Sequence, residues 1–458
     1  MKKYVSARNI SFRPVLIIVS ILFAAPMAFA STTISTDITT GGAVTATSFF
    51  DTNGTAGGYK IDGNSILQAS SSIESVSLGY LALTSGTSAS YNNALGWRTL
   101  QHNTTGAYNN AFGWEALQAN TTGSFNTAFG DRALNMVTTG SRNTAVGYLS
   151  LINNTASYNT AVGWQALRAN TSGSNNAAFG LSALDDSTTG DGNTALGASA
   201  MQHNDSGSNN TASGYQSLIS NSSGNNNTAN GYQSLYSNTT GVSNTTEGHM
   251  AMYYNTTGNY NTSVGDNALI LNTTGSGNTA VGYASADGLM NNAINGNTVE
   301  GYYSGSNLAA GGDYNTLLGY QAGYGLSSGS NNIIIATATS STGVANLTSG
   351  SQNILIGNNI SFPSATASGQ LNIGNIIYGT GVTGTGSTLS SGKVGIGTTS
   401  PATKLQISSG ANATTTVTIG ELGLTTSKAC VNMNQANGSA GSFYIAGGVI
   451  VVSNSYCQ

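Results

Sequence analysis

The chain has 458 residues, of which only 6% are charged and 39% are hydrophobic, and its formal net charge is −4. Soluble domains usually carry about 25% charged residues, so the polarity of this chain comes from Asn, Ser and Thr instead. The 22 Tyr, 11 Phe and 3 Trp argue against a disordered tail, and the 4 Pro argue against collagen. This composition indicates an ordered and repetitive β-protein.

Residues 1–30 have the features of a secretory signal peptide. Four basic residues precede an apolar stretch from Val15 to Ala25, and an Ala-x-Ala motif ends at Ala30. An uncleaved anchor is the alternative, although the stretch is short for a membrane span. We therefore expect a mature chain without a membrane span that is secreted, extracellular or at the cell surface.

Basic residues are missing from half of the chain, because no Lys or Arg occurs between Arg168 and Lys393. Nucleic-acid binding depends on cations that contact phosphates, and phosphoryl chemistry uses the same side chains. We expect neither function, and the sequence suggests no cofactor.

A seventeen-residue repeat dominates the sequence. One Gly recurs thirteen times, at eleven intervals of 17 residues and one of 16. Such a unit is too short for a helix pair, and Pro is absent from Met27 to Phe362, so the repeat predicts a parallel β-solenoid with one unit per coil. We call these residues the marker glycines: Gly79, Gly96, Gly113, Gly130, Gly147, Gly163, Gly180, Gly197, Gly214, Gly231, Gly248, Gly265 and Gly282.

Each unit has two short apolar segments, one before and one after its marker glycine. The unit ends in a turn such as Asn120-Thr121-Thr122-Gly123. An Asn stands four residues before each marker glycine from Gly96 onward, and we expect these side chains to stack as an amide ladder. Many of the Asn residues also lie in glycosylation sequons, but the ladder and the turn account for them. We call the ladder residues the strand asparagines: Asn92, Asn109, Asn126, Asn143, Asn159, Asn176, Asn193, Asn210, Asn227, Asn244, Asn261 and Asn278.

The predicted strands are apolar on both faces, as in Ala128-Phe129. Successive residues of a strand point to opposite sides, so both sides call for burial. A coil of 17 residues cannot cover its own outer wall. We therefore expect copies of the chain to pack around an axis parallel to the solenoid.

Aromatic residues directly follow several marker glycines, and four of them are candidate ligand contacts: Trp97, Trp114, Tyr148 and Trp164. Stacked rings bind sugars and peptides, but they also stabilise a rod by packing on one another. We expect the packing role to be the more common one.

No catalytic motif is present. His102 and His203 occupy equivalent positions and could meet their symmetry mates at a metal, but they are expected to be solvent-facing turn residues. Asp185, Asp186 and Asp191 cluster near a turn without the spacing of a calcium loop. We expect no metal site and no enzyme.

Five segments follow from these patterns. The last contains Cys430 and Cys457, which predict a disulfide in an oxidising compartment, and a hairpin of residues 442–446 and 449–453 joined at Gly447-Gly448. We expect this last segment to cap the rod. The segments are a signal peptide (1–30), a β-prone segment (31–75), the solenoid repeats (76–325), irregular β repeats with a Gly-rich connector (326–403) and a C-terminal β module (404–458).

The recurring Asn-Thr-Ala-(Leu/Phe/Val)-Gly unit resembles the head repeats of YadA-like trimeric autotransporter adhesins. This resemblance implies a left-handed β-roll built from three chains. Residues 394–401, Val-Gly-Ile-Gly-Thr-Thr-Ser-Pro, resemble a connector of phage tail fibres and bacterial surface fibres. The family's coiled-coil stalk and membrane anchor have no counterpart in this sequence, and family repeats are commonly shorter.

These features together predict a secreted, homotrimeric adhesin with no enzymatic activity, which attaches to an unknown surface receptor, glycan or matrix protein. A phage-like tail-fibre protein is the main alternative. A polysaccharide-active β-helix enzyme and an ice-binding solenoid are weaker ones. The Thr column from Thr104 to Thr171 lies in turns rather than along a strand, which disfavours ice binding.

Overall fold

The structure is a computed structural model, and it describes residues 58–61, 64–70, 74–85, 88–288, 293–337, 347–384, 391–408, 430–434, 440–446 and 449–453. All of these belong to one compact unit, Phe50–Gln458. The regular structure of these residues consists only of β-strands. Among them there is no helix of the length and hydropathy needed to cross a membrane.

Most strands are three residues long and recur once per repeat. The first strands are β1 (Gly58–Ile61), β2 (Asn64–Ser70), β3 (Ser75–Leu78), β4 (Asn93–Leu95), β5 (Asn110–Phe112), β6 (Thr127–Phe129), β7 (Thr144–Val146), β8 (Thr160–Val162), β9 (Ala177–Phe179), β10 (Thr194–Leu196), β11 (Thr211–Ser213), β12 (Thr228–Asn230) and β13 (Thr245–Glu247). The remaining ones are β14 (Thr262–Val264), β15 (Thr279–Val281), β16 (Thr298–Glu300), β17 (Thr316–Leu318), β18 (Ile333–Ile335), β19 (Ile354–Ile356), β20 (Leu371–Ile373), β21 (Ile377–Thr380), β22 (Lys393–Ile396), β23 (Leu405–Ile407), β24 (Cys430–Asn434), β25 (Ala440–Ala446) and β26 (Val449–Ser453).

Strands β3 to β20 form one parallel ladder in which each strand pairs with the next one along the chain. Equivalent residues lie side by side, as Thr127 does with Thr144 and Ala128 with Ala145. The predicted all-β fold and parallel β-solenoid are thus confirmed. The ladder also continues past residue 325, because the β-like segments beyond Gly319 are the in-register strands β18, β19 and β20.

Only the first of the two apolar segments in each unit is a strand. The segment after the marker glycine is a series of turns in which every second residue has a positive φ, as at Glu115 (53°) and Leu117 (53°). Left-handed backbone is costly for β-branched residues. Accordingly, the second of these positions holds only Leu, Met, Ala or Gly from Leu83 to Gly323.

The marker glycines allow neighbouring coils to approach at the corner where each strand ends. Gly130 has a φ of 138°, and a Cβ atom added to it would lie 2.6 Å from the carbonyl oxygen of Gly147 in the next coil. Both the backbone angle and the space therefore exclude a side chain. This explains why Gly recurs with the period of the coil.

The core is a narrow stack of small and medium side chains. The middle residue of each strand, such as Ala128 or Ala145, points inward and is fully buried. Leu or Met from the turn segment, such as Leu134 and Met201, packs against it and is also fully buried. The outer residues of the same strands remain exposed or half-buried, so the single chain buries only one side of its sheet.

The strand asparagines are buried and connect one coil to the next. The Oδ1 atom of Asn109 accepts a hydrogen bond of 2.9 Å from the backbone N–H of Asn126. Its Nδ2 atom donates one of 2.9 Å to the carbonyl oxygen of Gly123. The column thus links side chains mainly to backbone, with added amide-to-amide contacts of 3.0–3.2 Å from Asn210 onward.

A second column of asparagines, which the sequence showed only as part of a turn, forms a direct ladder of amides. Asn221 donates from Nδ2 to Oδ1 of Asn204 at 2.6 Å and to the carbonyl oxygen of Gly224 at 2.9 Å. All members are buried. We call them the turn asparagines: Asn103, Asn120, Asn154, Asn170, Asn204, Asn221, Asn238, Asn255 and Asn272.

Completing this second ladder is expected to stabilise the protein. Ser187 occupies a turn-asparagine position, and both its Oγ atom and the Oδ1 atom of Asn170 are buried without a hydrogen-bond partner. In Ser187→Asn, the new amide can donate to Asn170 and to the nearby carbonyl, so the free energy of unfolding should rise by about 1 kcal/mol. Chemical denaturation measures it. The reverse change Asn221→Ser should lower stability, and a less stable Ser187→Asn variant would contradict the explanation.

At both ends of the ladder the pairing changes from parallel to antiparallel. β1 and β2 pair antiparallel, and β2 joins β3 in the same way. At the other end, β21 is antiparallel to both β20 and β22, and β23 is parallel to β22. Strands β24 to β26 form a separate antiparallel sheet in which β25 and β26 are the predicted hairpin strands.

Candidate functional site

Two of the four candidate ligand aromatics are covered by their neighbours. The rings of Trp97 and Trp114 stack with their centroids 5.3 Å apart. Arg98 lies over Trp97 at 4.1 Å and Arg132 lies over Trp114 at 4.4 Å. Glu115 holds both guanidinium groups, at 3.8 Å from Arg98 and 3.2 Å from Arg132. Ring faces that already meet a ring or a guanidinium group offer a ligand mainly their edges.

The other two aromatics form a separate and more open pair. Asp131 occupies the position between Trp114 and Tyr148, so the four residues are not one continuous column. Tyr148 and Trp164 meet edge to face, with their centroids 5.8 Å apart. Trp164 is 54% exposed, against 39% for Trp114. Of the four predicted residues, Trp164 is the one whose surface is most available to a ligand.

The structure contains a second column of stacked aromatic rings that was not predicted from the sequence. Tyr91 stacks on Tyr108 at 4.7 Å, and Tyr108 stacks on Phe125 at 4.9 Å. Arg142 continues the column and donates from Nη1 to the hydroxyl of Tyr158 at 2.9 Å. These residues directly precede the strand asparagines, and their own spacing of 17 or 16 residues was the signal that could have revealed them.

The outer face of the sheet has two columns of residues, of which one is apolar over its first half and the other consists mainly of Thr and Asn. The residues directly before the marker glycines, which we call the outer strand column, are all apolar over eight consecutive coils. Further along, Ser213, Asn230 and Glu247 take this position. The outward column of Thr and Asn separates this apolar stretch from the second column of rings. It comprises Leu78, Leu95, Phe112, Phe129, Val146, Val162, Phe179 and Leu196.

The acidic residues considered as calcium ligands are engaged within the protein. Arg168 pairs with Asp185 at 2.6 Å and with Asp186 at 3.2 Å, and these contacts raise the pKa of the guanidinium group above its ordinary value. Asp191 accepts hydrogen bonds from the backbone N–H and the hydroxyl of Ser174.

The histidines are placed on the surface. His102 is exposed, and Nδ1 of His203 lies 2.8 Å from Oδ2 of Asp186. Across the described ranges, no group of three or more His, Cys, Asp or Glu side chains is arranged to hold a metal ion.

Asp287 gives the structure a carboxyl group with a raised pKa. Burial raises this pKa above 3.8, and hydrogen bonds from the Ser306 side chain and the Gly288 backbone oppose the shift in part. Because the folded state holds the proton more tightly, the ionised carboxylate lowers stability at neutral pH. This cost begins to fall as the pH drops through the raised pKa and is gone below the ordinary pKa of Asp.

Asp287→Asn should therefore melt at a higher temperature than the unmodified protein at neutral pH. The difference should shrink as the pH is lowered to below the ordinary pKa of Asp, where the carboxyl group is neutral in both states. Thermal melts of both proteins over a series of pH values measure it. A difference that does not change with pH would contradict the assigned cause.

Two predictions, the signal peptide and the disulfide, depend on residues outside the described part of the chain. The signal peptide at 1–30 and Cys457 are not described, and for Cys430 only its place in strand β24 is. The Cys430–Cys457 disulfide therefore stays a prediction.

Comparisons of the chain with protein-family models, with curated proteins and with solved structures found no match.

Proposed function

We propose that the chain is the rod of a secreted, trimeric adhesive fibre without enzymatic activity, built as a left-handed β-roll and attached to a surface receptor, glycan or matrix protein. The observation that supports it is the outer face of the sheet. Seven coil steps of about 4.8 Å make the apolar column of this face roughly 34 Å long, and a continuous exposed apolar surface of this kind marks an interaction site.

Assembly through this face has a direct test. Phe129 is 57% exposed and lies in the middle of the apolar stretch. Phe129→Asp should leave the coil folded, since the side chain points away from the core, but it should dissociate the oligomer. Light scattering of the full chain measures the mass. Tyr260→Asp is the control, because Tyr260 is also exposed but lies outside the apolar stretch. A wild-type monomer at micromolar concentration would overturn the trimer.

Adhesion has a separate test on glycan and matrix-protein arrays. If the aromatic pair contacts the receptor, Trp164→Ala should lower binding without lowering the melting temperature. Trp97→Ala should lower the melting temperature without lowering binding, because Trp97 is packed between Trp114 and Arg98. Unchanged binding by the Trp164→Ala variant would remove this residue from the receptor site.

A phage-like tail-fibre protein is the second candidate. It is supported by residues 394–401, which resemble a tail-fibre connector. The first three of them belong to β22, which pairs antiparallel with β21, where the parallel ladder has ended. The proposed signal peptide favours the surface protein. Fractionation of the native cells distinguishes the two, since a virion component remains with phage particles.

Ice binding is less well supported. An exposed Thr column does run along the strands, at Thr194, Thr211, Thr228 and Thr245. However, the next outward residues in these strands are Leu196, Ser213, Asn230 and Glu247, so the row of hydroxyls is single. The turn threonines donate their hydroxyls to carbonyl oxygens of the next coil. Absence of thermal hysteresis would dismiss this function.

A further inference from the structure

A surface cavity of about 450 Å³ opens beside strands β16 to β18. On one side of it lie Glu300, Leu318 and Ile335, which hold the same strand position as the outer strand column, and on the other side lie Thr337 and Asn358. Its size falls within the range of sites for small molecules. The lining residues used below are Glu300, Leu318, Ile335, Gly319, Thr337 and Asn358.

The cavity begins where a column of rings ends. Tyr283, Tyr302 and Tyr320 stack at 5.2 and 5.4 Å. The next two residues in equivalent positions are Thr337 and Asn358, whose short side chains are hydrogen-bonded to each other at 3.0 Å. Within the described part of the chain, no further ring therefore stacks on the terminal Tyr320, a residue that is 45% exposed.

The charge at this place is negative and unbalanced. Glu300 is the one charged residue that lines the cavity, and no ion pair joins it to another described residue. The sequence has no Lys or Arg from residue 169 to residue 392 that could neutralise it. Leu318 and Ile335 supply an apolar wall beside the carboxylate.

We propose that this cavity binds the quaternary ammonium group of a small organic cation. The carboxylate of Glu300 attracts the charge, and Leu318 and Ile335 pack against the methyl groups. Tyr320 is not one of the lining residues, but it directly follows one, Gly319, and its open side would add a cation–π contact. Glu300 would repel an anion, since no cation lines the cavity to compensate. A neutral ligand would gain no charge attraction from Glu300. The proposal does not depend on adhesion, and it places the site beyond the apolar stretch that we propose for assembly, so the cavity should stay accessible in the oligomer.

The test is isothermal titration calorimetry of the full chain with choline and with its neutral isostere, in which carbon replaces the quaternary nitrogen. Choline should bind and the isostere should not. Glu300→Gln should weaken choline binding roughly three- to fivefold, as expected for a partly exposed ion pair. Tyr320→Leu should weaken it about two- to fivefold.

Glu247→Gln is the matched control, because Glu247 holds the equivalent position three coils earlier but does not line the cavity. It should leave choline binding unchanged. Equal binding of choline and the isostere, no binding of choline, or equal losses in Glu300→Gln and Glu247→Gln would each overturn the site.

Vesicles of phosphatidylcholine distinguish the source of the ligand. Binding to vesicles that is lost in Glu300→Gln identifies a lipid headgroup, and binding of free choline alone identifies a soluble cation. Both outcomes support the site. Light scattering of the same samples reports assembly separately, so an intact oligomer of the unmodified chain that does not bind choline overturns the site alone.

Discussion

Replacing a marker glycine in the middle of the ladder, as in Gly130→Ala, should destabilise the solenoid strongly. The φ of 138° is a conformation that L residues rarely adopt, which costs about 1–3 kcal/mol. The added Cβ would also overlap the carbonyl group of Gly147, and the resulting shift of the coil costs about 1–3 kcal/mol more. Thermal and chemical denaturation of the purified variant measure the loss.

Gly311→Ala separates the two costs. Gly311 also has a positive φ, of 91°, but a Cβ atom there would have no atom within 4 Å. This variant should suffer from backbone strain alone and melt well above Gly130→Ala. If the two variants lose the same stability, contact between neighbouring coils does not explain the recurrence of glycine.

The period of the sequence determines most of the fold because identical units can stack in only one register. Seventeen-residue spacing of Ala128 and Ala145 predicts that they lie side by side, and they do. The path of the chain between strands was not predictable in the same way. Leu117 and Leu134 look like one face of a second strand, yet their φ angles of 53° place them in turns.

The candidate aromatics show why the site was harder to predict than the fold. Spacing places Trp97 and Trp114 in one column, but it does not reveal that Arg98 and Arg132 cover their faces. The guanidinium groups come from residues that directly follow an aromatic or aspartate, and their direction depends on the positive φ at those positions. The spacing in the sequence therefore predicts which residues stack in one column. Which ring faces stay exposed depends on the backbone conformation of the turns.

The buried asparagines suggest a variant whose stability depends on pH. In Asn227→Asp the shape is kept, and Oδ1 can still accept from the backbone N–H of Asn244. The second carboxylate oxygen, however, replaces an Nδ2 donor that lies 2.8 Å from the carbonyl oxygen of Gly241 and 3.2 Å from Oδ1 of Asn210. At neutral pH an unpaired buried charge then faces two acceptors, and the loss of stability should be about 3–5 kcal/mol.

Acid should restore much of this loss. A protonated carboxyl group can donate its O–H to Gly241, so the folded state raises the pKa of residue 227, and stability is lost as the pH rises through that value. Asn226→Asp is the control, because it adds the same charge at the neighbouring exposed residue and should change stability little. Melting curves of both variants at acidic and neutral pH decide the matter. An Asn227→Asp variant that is equally stable at both would show that the Asn227 amide is not held by the two acceptors, and the strand asparagines would then owe their recurrence to shape alone.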